Sequence, residues 1–367
     1  MKQKKKVLII SIPGGSGHVR AAQAIHKEAQ QNFPDIETKH IDLIDHTTLT
    51  MKKAVIDSYD LIVKRMPELW GYLYDKTDNN NIGRKFNKIT NQLKKINSYK
   101  FYEYINSYKP DIIICTHFLP ADIIFNAPKK YKFNVPVTLV LTDYDLHNLW
   151  LVSGVSHYFV ATEKMKWKIM NSDNRAPSTL SGIPIDSVFF EKRDPITLKK
   201  KLNLPLDKSI FLVMSGGQGF TRSDKVINTL LKIDKDIHII AITGKNATLK
   251  KRLEKINYPD NISMTILGWT DIVHDYVKCS DLIITKTGGL TTTECIACGK
   301  YIIATEPIPG QEERNAEYIL QNNLGSVVHS PEDLLYYVHK YIKNPSSHKK
   351  NIPNGANKIL KVIKEKF

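Results

Sequence analysis

Short apolar runs, each stopping at a polar or glycine-rich loop, constrain the fold more than any other feature of the chain. In the second half these runs are residues 210–214, 238–242, 264–267, 282–285 and 301–304. Continuous apolar runs of this length are typical of parallel strands that are buried on both faces. Because parallel strands end at the same edge of a sheet, the loops after them should line the edge where open α/β folds bind ligands.

The first half repeats this alternation of apolar runs and helical stretches. Strands are predicted at residues 7–10, 38–43, 111–115, 137–142 and 158–161, and a helix at 20–32. Strands separated by helices imply right-handed crossovers and a parallel sheet. We therefore predict an α/β fold with Rossmann-like domains at 1–184 and 208–345 and a linker at 185–207. A helix is predicted at 346–367. Packing of this helix against the first domain is one of the arrangements that the sequence allows.

The composition is that of a globular protein without a membrane span. Of the 367 residues, 42% are hydrophobic and 25% are charged. No apolar run reaches the roughly 20 residues that a spanning helix needs. The run at 7–12 is too short for a signal peptide and stops at Pro13. We expect a cytoplasmic protein that is peripheral on the inner face of the cell membrane.

The net charge of +16, from 53 Lys and Arg against 37 Asp and Glu, favours anionic partners. Nucleic acid, phosphate-bearing ligands and anionic lipid all fit this excess, and so does a compositional bias toward lysine. The Cys295-x-x-Cys298 pair has no second ligand pair at a zinc spacing. We therefore predict no metal site and assign the two thiols to core packing.

Residues 45–108 form a predicted helical stretch that is basic and aromatic. Within it, residues 51–100 carry 11 Lys and Arg against 5 Asp and Glu. This mixture suits a membrane surface, single-stranded nucleic acid or an ordinary solvated insertion. The candidate membrane contacts are Trp70, Lys85, Lys88, Lys94 and Lys95.

A glycine loop, formed by Gly14, Gly15 and Gly17, follows the first predicted strand and precedes a helix. Glycines let a ligand approach the backbone, and a helix N-terminus favours anionic groups. The loop lacks the G-x-G-x-x-G register, and Asp42 is the nearest candidate for a ribose-binding acid. His18, which closes the loop, fits a general base or a phosphate ligand. A helix-start histidine that bonds a neighbouring carbonyl is the alternative.

A second glycine loop, at residues 286–289, again joins a strand to a helix. The backbone N–H groups from Leu290 to Thr292 are expected to point at a diphosphate. Glu294 can accept hydrogen bonds from a ribose diol, but Thr291-x-x-Glu294 also has the form of a capping box. The next loop, at 309–315, offers Gln, Glu and Asn side chains suited to sugar hydroxyls.

With these motifs the chain resembles the monogalactosyldiacylglycerol synthases and processive diacylglycerol glucosyltransferases of glycosyltransferase family 28. It is more distantly similar to the enzyme that adds N-acetylglucosamine to the lipid-linked peptidoglycan precursor. The resemblance covers nearly the whole chain. Its blocks are residues 14–18, 42–47, 67–70, 142–150, 182–185, 244–245, 267–269, 285–289 and 309–312.

The resemblance implies a GT-B fold, in which two Rossmann-like domains face each other across an active-site cleft. UDP would lie on the C-terminal domain, with the uracil at Trp269 and the ribose at Glu294. The implied donor-binding residues are Gly216, Gly217, Gly244, Gly268, Trp269, Lys286, Gly288, Gly289, Leu290, Thr291, Thr292, Glu294, Gln311, Glu312 and Asn315. The expected acceptor-side catalytic residues are His18, Asp143 and His147. Thr287 departs from the usual Pro or Ala and leaves the donor sugar open.

The expected function is therefore inverting transfer of glucose or galactose from a UDP-sugar to diacylglycerol or a related glycolipid. The resemblance also implies no metal or other cofactor, because helix N-termini meet the diphosphate charge. Anionic membrane lipid is the expected further partner, and nucleic acid is not expected. Two alternatives stay open: N-acetylglucosamine transfer to a lipid-linked peptidoglycan precursor, and a non-catalytic nucleotide-binding regulator.

Overall fold

A computed structural model of the chain describes residues 4–13, 16–48, 98–217, 223–347 and 350–367. These residues form two compact units. The first unit comprises residues 1–187, 308–311 and 353–367, and the second comprises residues 188–307 and 312–352. The candidate membrane contacts Trp70, Lys85, Lys88, Lys94 and Lys95 lie outside the described residues, as do Gly14 and Gly15.

Strands and helices alternate along both units. The strands are β1 Lys5–Ser11, β2 Ile36–Asp42, β3 Ile112–Cys115, β4 Val137–Val140, β5 His157–Val160, β6 Ser178–Leu180, β7 Ser209–Met214, β8 Ile237–Ile242, β9 Ile262–Leu267, β10 Leu282–Thr285, β11 Tyr301–Thr305 and β12 Gly325–Val328. The α-helices are α1 Gly17–Asn32, α2 Tyr99–Tyr108, α3 Phe118–Phe125, α4 Glu163–Met170, α5 Pro195–Lys201, α6 Ser223–Leu230, α7 Ala247–Leu253, α8 Val273–Cys279, α9 Gly289–Ala297, α10 Gln311–Gln321, α11 Pro331–Lys343 and α12 Gly355–Lys366. Short 3₁₀ turns lie at Leu43–His46, Lys129–Tyr131, Asn148–Trp150 and Ser187–Phe190.

Each unit contains a six-stranded sheet in which all the described strand pairs are parallel. The order is β2-β1-β3-β4-β5-β6 in the first unit and β12-β11-β10-β7-β8-β9 in the second. Counted within its own unit, the second order is the 3-2-1-4-5-6 arrangement of the dinucleotide-binding fold. The predicted α/β class with two parallel sheets is confirmed.

The strand order reverses next to the first strand of each sheet. The reversal lies between β1 and β3 in the first unit and between β7 and β10 in the second. Chain crossovers leave such a point in opposite directions, so a crevice opens there at the carboxyl ends of the strands. This places the loop before α1 and the loop before α9 at the two positions where α/β sheets hold ligands.

The two faces of the first sheet pack against different helices. Leu8 and Ile10 of β1 lie in a core with α2, α3 and α4, whereas Val7 and Ile9 lie in a core with α1 and α12. Successive side chains of a strand point to opposite faces, so one apolar run supplies both cores. The strand is buried on both sides, as its continuous apolar sequence predicts.

Helix α12 completes one of these cores. Its residues Ile359, Leu360 and Ile363 are fully buried in the core that contains α1. The buried carboxylate of Glu28 on α1 accepts hydrogen bonds from the side-chain amides of Asn32, at 2.9 Å, and Asn357, at 2.7 Å. The last helix is therefore part of the first unit.

The predicted linker contains regular structure. Helix α5 lies within it, and Arg193 just before that helix forms an ion pair with the buried Asp275 of α8 at 2.5 Å. Residues 188–207 of the predicted linker belong to the second unit. In the part of the chain that the structure describes, no helix combines the length and the apolar character needed to cross a bilayer.

Candidate active site

His18 is the second residue of α1 and lies at the reversal point of the first sheet. Its Nδ1 is 2.9 Å from the backbone oxygen of Thr116 and 3.0 Å from Oγ1 of Thr142. A carbonyl oxygen can only accept, so Nδ1 carries the hydrogen and donates it. The lone pair is then on Nε2, which is the arrangement that a general base needs.

Thr116, at the carboxyl end of β3, holds His18 by two bonds. Its carbonyl accepts from the His18 ring, and its buried hydroxyl donates to the backbone oxygen of His18 at 2.9 Å. The ring orientation therefore depends on a strand almost 100 residues away in sequence. The alternative role for His18, a hydrogen bond to a neighbouring carbonyl, is therefore present. This bond fixes the tautomer with the hydrogen on Nδ1, which is the one that can act as a base.

The surroundings of His18 keep its imidazole neutral. Loss of solvation is the largest effect and lowers the His18 pKa below its ordinary value of 6.5, while the charge of Asp143 and the bond to the Thr116 carbonyl raise it. The His117 ring packs edge-on at 4.7 Å, and burial together with His18 lowers the pKa of His117 further still. At neutral pH His18 therefore has its Nε2 lone pair available.

Asp143 follows β4 and faces the same carboxyl edge. Its Oδ2 accepts a hydrogen bond of 2.8 Å from Nε2 of Gln311, which belongs to the short segment 308–311 of the first unit. The sequence had assigned Asp143 to the acceptor side and Gln311 to the donor side. Asp143 of the predicted acceptor set and Gln311 of the predicted donor set are therefore hydrogen-bonded to each other.

His147 is buried within the 143–150 loop. Its Nδ1 accepts from the backbone N–H of Leu149 at 3.1 Å and caps the 3₁₀ turn Asn148–Trp150. A neighbouring anchor is Asp145, whose carboxylate forms ion pairs with Lys164 at 3.2 Å and Lys168 at 2.7 Å. These contacts give His147 a role in holding the loop, and direct proton transfer by it stays a prediction.

Two further residues singled out in the sequence, Gly17 and Asp42, have local structural roles. Gly17 is the first residue of α1. Asp42, the candidate ribose acid, instead accepts from the backbone N–H of Ile44 at 3.1 Å and caps the 3₁₀ turn Leu43–His46. The position of a strand-ending acid alone did not distinguish a cap from a ligand contact.

In the second unit the loops after β7 and β8 touch through their backbones. Gly244 has φ = 59°, and a Cβ there would lie 2.6 Å from the oxygen of Gly217 and 2.7 Å from that of Gly216. The N–H of Lys245 donates to the Gly217 oxygen at 3.2 Å. Only glycine fits at 244, and this close approach keeps both loops flat along the edge of the sheet.

Trp269 follows Gly268 at the end of β9, beside these loops. Half of its surface is exposed, and its Nε1–H donates to Oδ1 of Asp271 at 3.1 Å. The Lys245 ammonium lies 5.5 Å from the centre of the ring. The Trp269 ring is thus exposed and is held by one hydrogen bond at Nε1 and by one ammonium group near its face. Stacking of a nucleobase requires an exposed aromatic ring of this kind.

The N-terminus of α9 lies at the reversal point of the second sheet. Gly288 is the N-cap, and Thr292 N–H makes the first helical bond, to the Gly288 oxygen at 2.9 Å. The amides of Gly289, Leu290 and Thr291 precede that bond and can point at an anion. The N–H of Thr292 is used inside the helix and its side chain is buried, and the place of Thr292 in the donor-binding set stays a prediction.

Glu294 does not form a capping box. Such a box needs Thr291 at the N-cap, whereas Thr291 is the third residue of the helix and Gly288 is the cap, which makes no side-chain bond. Glu294 lies almost two turns in and is nearly buried. The structural alternative for this carboxylate is therefore excluded, and its proposed bond to ribose stays a prediction.

The loop before α9 is tied to the start of α10. Lys286 forms an ion pair with Glu312 at 3.1 Å, and the Thr287 hydroxyl donates to the Glu312 backbone oxygen at 2.6 Å. Asn315 is fully buried and donates from Nδ2 to the Thr287 oxygen at 2.9 Å. Asn315 therefore holds the two loops together, and its assignment as a direct donor contact stays a prediction.

Sequence reasoning missed Thr116, Thr142 and His117, although the signal for the first two was present. Thr116 follows the strand predicted at 111–115, and Thr142 is the last residue of the strand predicted at 137–142. Both lie at a carboxyl end, where the same reasoning had placed other ligand-facing residues. Among the described residues, His, Cys, Asp and Glu side chains form no group of three or more that could hold a metal ion.

Two family models match successive parts of the chain. The sequence model of the monogalactosyldiacylglycerol (MGDG) synthase family matches residues 18–185. That of the glycosyltransferase family 28 C-terminal domain matches residues 210–366. The first match contains His18 and the 143–150 loop, and the second contains the loops at the carboxyl edge of the second sheet.

Solved structures share the fold at low sequence identity. MurG of Acinetobacter baumannii superposes with a TM-score of 0.62 at 14% identity, over 98% of this chain and 99% of the other. Staphylococcus aureus MnaA, in its co-structure with UDP, gives a TM-score of 0.61 at 14% identity, over 98% and 96%. The two parallel sheets thus have the GT-B architecture of glycosyltransferases such as MurG.

Relatives by sequence are closer. The processive diacylglycerol beta-glucosyltransferase of Bacillus licheniformis is 29% identical over 96% of this chain and 91% of its own length. That of Staphylococcus aureus is 31% identical over 92% and 84%. With the two family matches and the edge-of-sheet geometry described above, this similarity establishes that the chain belongs to the diacylglycerol glycosyltransferases of glycosyltransferase family 28 and is a hexosyltransferase.

Proposed function

We propose that the protein transfers a glucose or galactose from a UDP-hexose to diacylglycerol or a related glycolipid, with inversion at the anomeric carbon. The 2.9 Å contact between His18 Nδ1 and the Thr116 carbonyl oxygen is the observation that carries the proposal. The Nδ1 hydrogen of His18 is committed to the Thr116 carbonyl, so Nε2 can accept the proton of an acceptor hydroxyl. The sequence relatives, named as beta-glucosyltransferases of diacylglycerol, support the choice of substrates.

The reaction would be a single displacement. The hydroxyl oxygen attacks the anomeric carbon as His18 removes its proton, and the bond to the UDP oxygen breaks on the opposite face. The leaving diphosphate gains charge in the transition state, and the amides of Gly289, Leu290 and Thr291 are oriented to stabilise that charge. Lys286 supplies a cation close to these amides and is positioned by Glu312.

The nucleoside would lie along the rest of the edge. Glu294 would accept from the ribose hydroxyls, and the exposed Trp269 ring would stack on the uracil. The glycines at 216, 217 and 244 keep side chains out of the path between them. We propose that no metal takes part, because helix amides and Lys286 meet the diphosphate charge.

Attachment to the inner face of the cell membrane is part of the proposal. Diacylglycerol has two acyl chains and stays in the bilayer, so the enzyme has to work at a lipid surface. The net charge of +16 supports binding to anionic lipid.

The test is a transfer assay with purified protein and labelled UDP-glucose, UDP-galactose and UDP-N-acetylglucosamine. Each donor is offered with diacylglycerol vesicles and, separately, with a lipid-linked peptidoglycan precursor, with and without a chelator. We expect a glycolipid from UDP-glucose or UDP-galactose, at a rate that the chelator leaves unchanged. Product only with the peptidoglycan precursor would replace this function, and no product from any donor would leave a nucleotide-binding regulator.

A further inference from the structure

Exposed apolar side chains of the first unit are concentrated on one side of its sheet. Among the described residues of that unit, the large apolar side chains that are exposed are Tyr99, Phe125, Trp167 and Met170. They lie on α2, α3 and α4, the three helices that share a core on the same face of the sheet. Helices α1 and α12, on the other face, carry none of them. The two sides of this unit therefore differ in what they offer to a partner.

Helix α4 provides the strongest part of this surface. Met165 and Ile169 are fully buried against the sheet, whereas Trp167 is 64% exposed and Met170 is 60% exposed. Residues three apart lie on the same side of a helix, so the indole and the thioether are neighbours facing outward. Exposure of two such side chains together, rather than singly, indicates a binding surface.

Lysines surround the two apolar side chains. Lys164 and Lys168 each form an ion pair with Asp145, but the Asp145 carboxylate is only 9% exposed and lies beneath them. The outer side of the helix consequently presents these ammonium groups together with that of Lys166, which also pairs with the exposed carboxylate of Glu163 at 3.9 Å. The same helical layer, over residues 98–135 and 161–176, carries 9 Lys and Arg against 5 Asp and Glu.

We propose that Trp167, Met170, Lys164, Lys166 and Lys168, here called the α4 surface, bind the headgroup region of an anionic lipid bilayer. Tryptophan, with an apolar body and one N–H donor, favours the boundary between headgroups and acyl chains. The ammonium groups are complementary to anionic headgroups. The inference rests on the proposed function, because only an acceptor that stays in the bilayer requires such attachment.

The α4 surface is joined to the predicted acceptor side. Asp145 belongs to the 143–150 loop, and its backbone neighbour Leu146 donates to its Oδ1 at 2.8 Å. The two lysines that pair with Asp145 therefore fix α4 to the loop that contains Asp143. A bilayer held at α4 lies next to the loop that we expect to meet the lipid hydroxyl.

The test compares full-length protein with a Trp167→Ser, Met170→Ser double variant in sedimentation with phosphatidylglycerol–phosphatidylcholine vesicles. We expect the vesicle partition coefficient of the variant to fall at least about tenfold. A matched control replaces two exposed apolar residues of the second unit, Leu320→Ser with Tyr336→Ser, and should partition like the wild type. Urea unfolding, measured in parallel, reports that each variant is folded.

A second measurement locates the indole itself. Brominated lipids should quench part of the tryptophan emission of the wild type on anionic vesicles, and a Trp167→Phe variant should lose that part. The inference would be overturned if the double variant partitioned onto vesicles as strongly as the wild type. It would also be overturned if the wild type were a dimer and the double variant a monomer, because the α4 surface would then be a protein interface. Because these readouts need neither donor nor acceptor, their outcome is separate from that of the transfer assay.

Discussion

At the scale of single residues, His18 shows what a sequence can and cannot assign. Its place between a strand, a glycine loop and a helix marked it as a candidate base. The groups that decide its tautomer, the carbonyl of Thr116 and the hydroxyl of Thr142, come from other strands. Such contacts depend on strand order, which no local pattern specifies. Glu294 is a similar case, since only the observed N-cap at Gly288 separates a ligand contact from a capping box.

The pH profile tests the role of His18. Burial lowers its pKa and the charge of Asp143 raises it, so Asp143→Asn should lower that pKa further. The base must be neutral to work, and hence the acid limb of kcat/KM should move to lower pH in the Asp143→Asn variant. His18→Ala should reduce turnover about 100-fold or more while UDP binding persists.

The control for this profile is His46→Gln, which changes a half-buried histidine on a 3₁₀ turn of the same unit. Its acid limb should coincide with that of the wild type. Near-normal turnover of His18→Ala, or an acid limb of Asp143→Asn that stays in place, would assign the proton transfer to another group.

Glu294→Gln tests the ribose contact. Loss of a charged acceptor should weaken UDP binding by about 1–3 kcal/mol, measured by titration calorimetry. Glu313→Gln, at an exposed position in the first turn of α10, is the matched control and should bind UDP normally. Unchanged affinity of Glu294→Gln would remove Glu294 from the donor site.

At the scale of elements, the apolar runs predicted ten of the twelve strands that the structure describes but missed β6 and β12. Both are edge strands of three or four residues with half-buried positions, so they lack the continuous apolar run that identified the others. Their pairing is supplied by the neighbouring strands β5 and β11. The order of the strands was equally beyond the sequence pattern, because it depends on which sheet edge each crossover joins.

The packing of α12 gives a prediction at this scale. Ile359 is fully buried in the core shared with α1, so Ile359→Ala should lower the free energy of unfolding of the first unit by about 2–5 kcal/mol. Lys361→Ala, on the exposed side of the same helix, should change it by less than about 0.5 kcal/mol. Urea unfolding of both variants measures the difference, and equal midpoints would mean that α12 contributes nothing to that core.

At the scale of the whole molecule, the first unit is formed by chain segments that precede and follow most of the second unit in the sequence. Residues 353–367 return to the sheet that begins with β1. During translation, residues 188–352 leave the ribosome before that helix does. The second unit can therefore finish folding while the core beside α1 still lacks helix α12. Domains usually fold in the order of synthesis, the N-terminal one first. In this protein the second unit is expected to mature before the first unit, which carries His18.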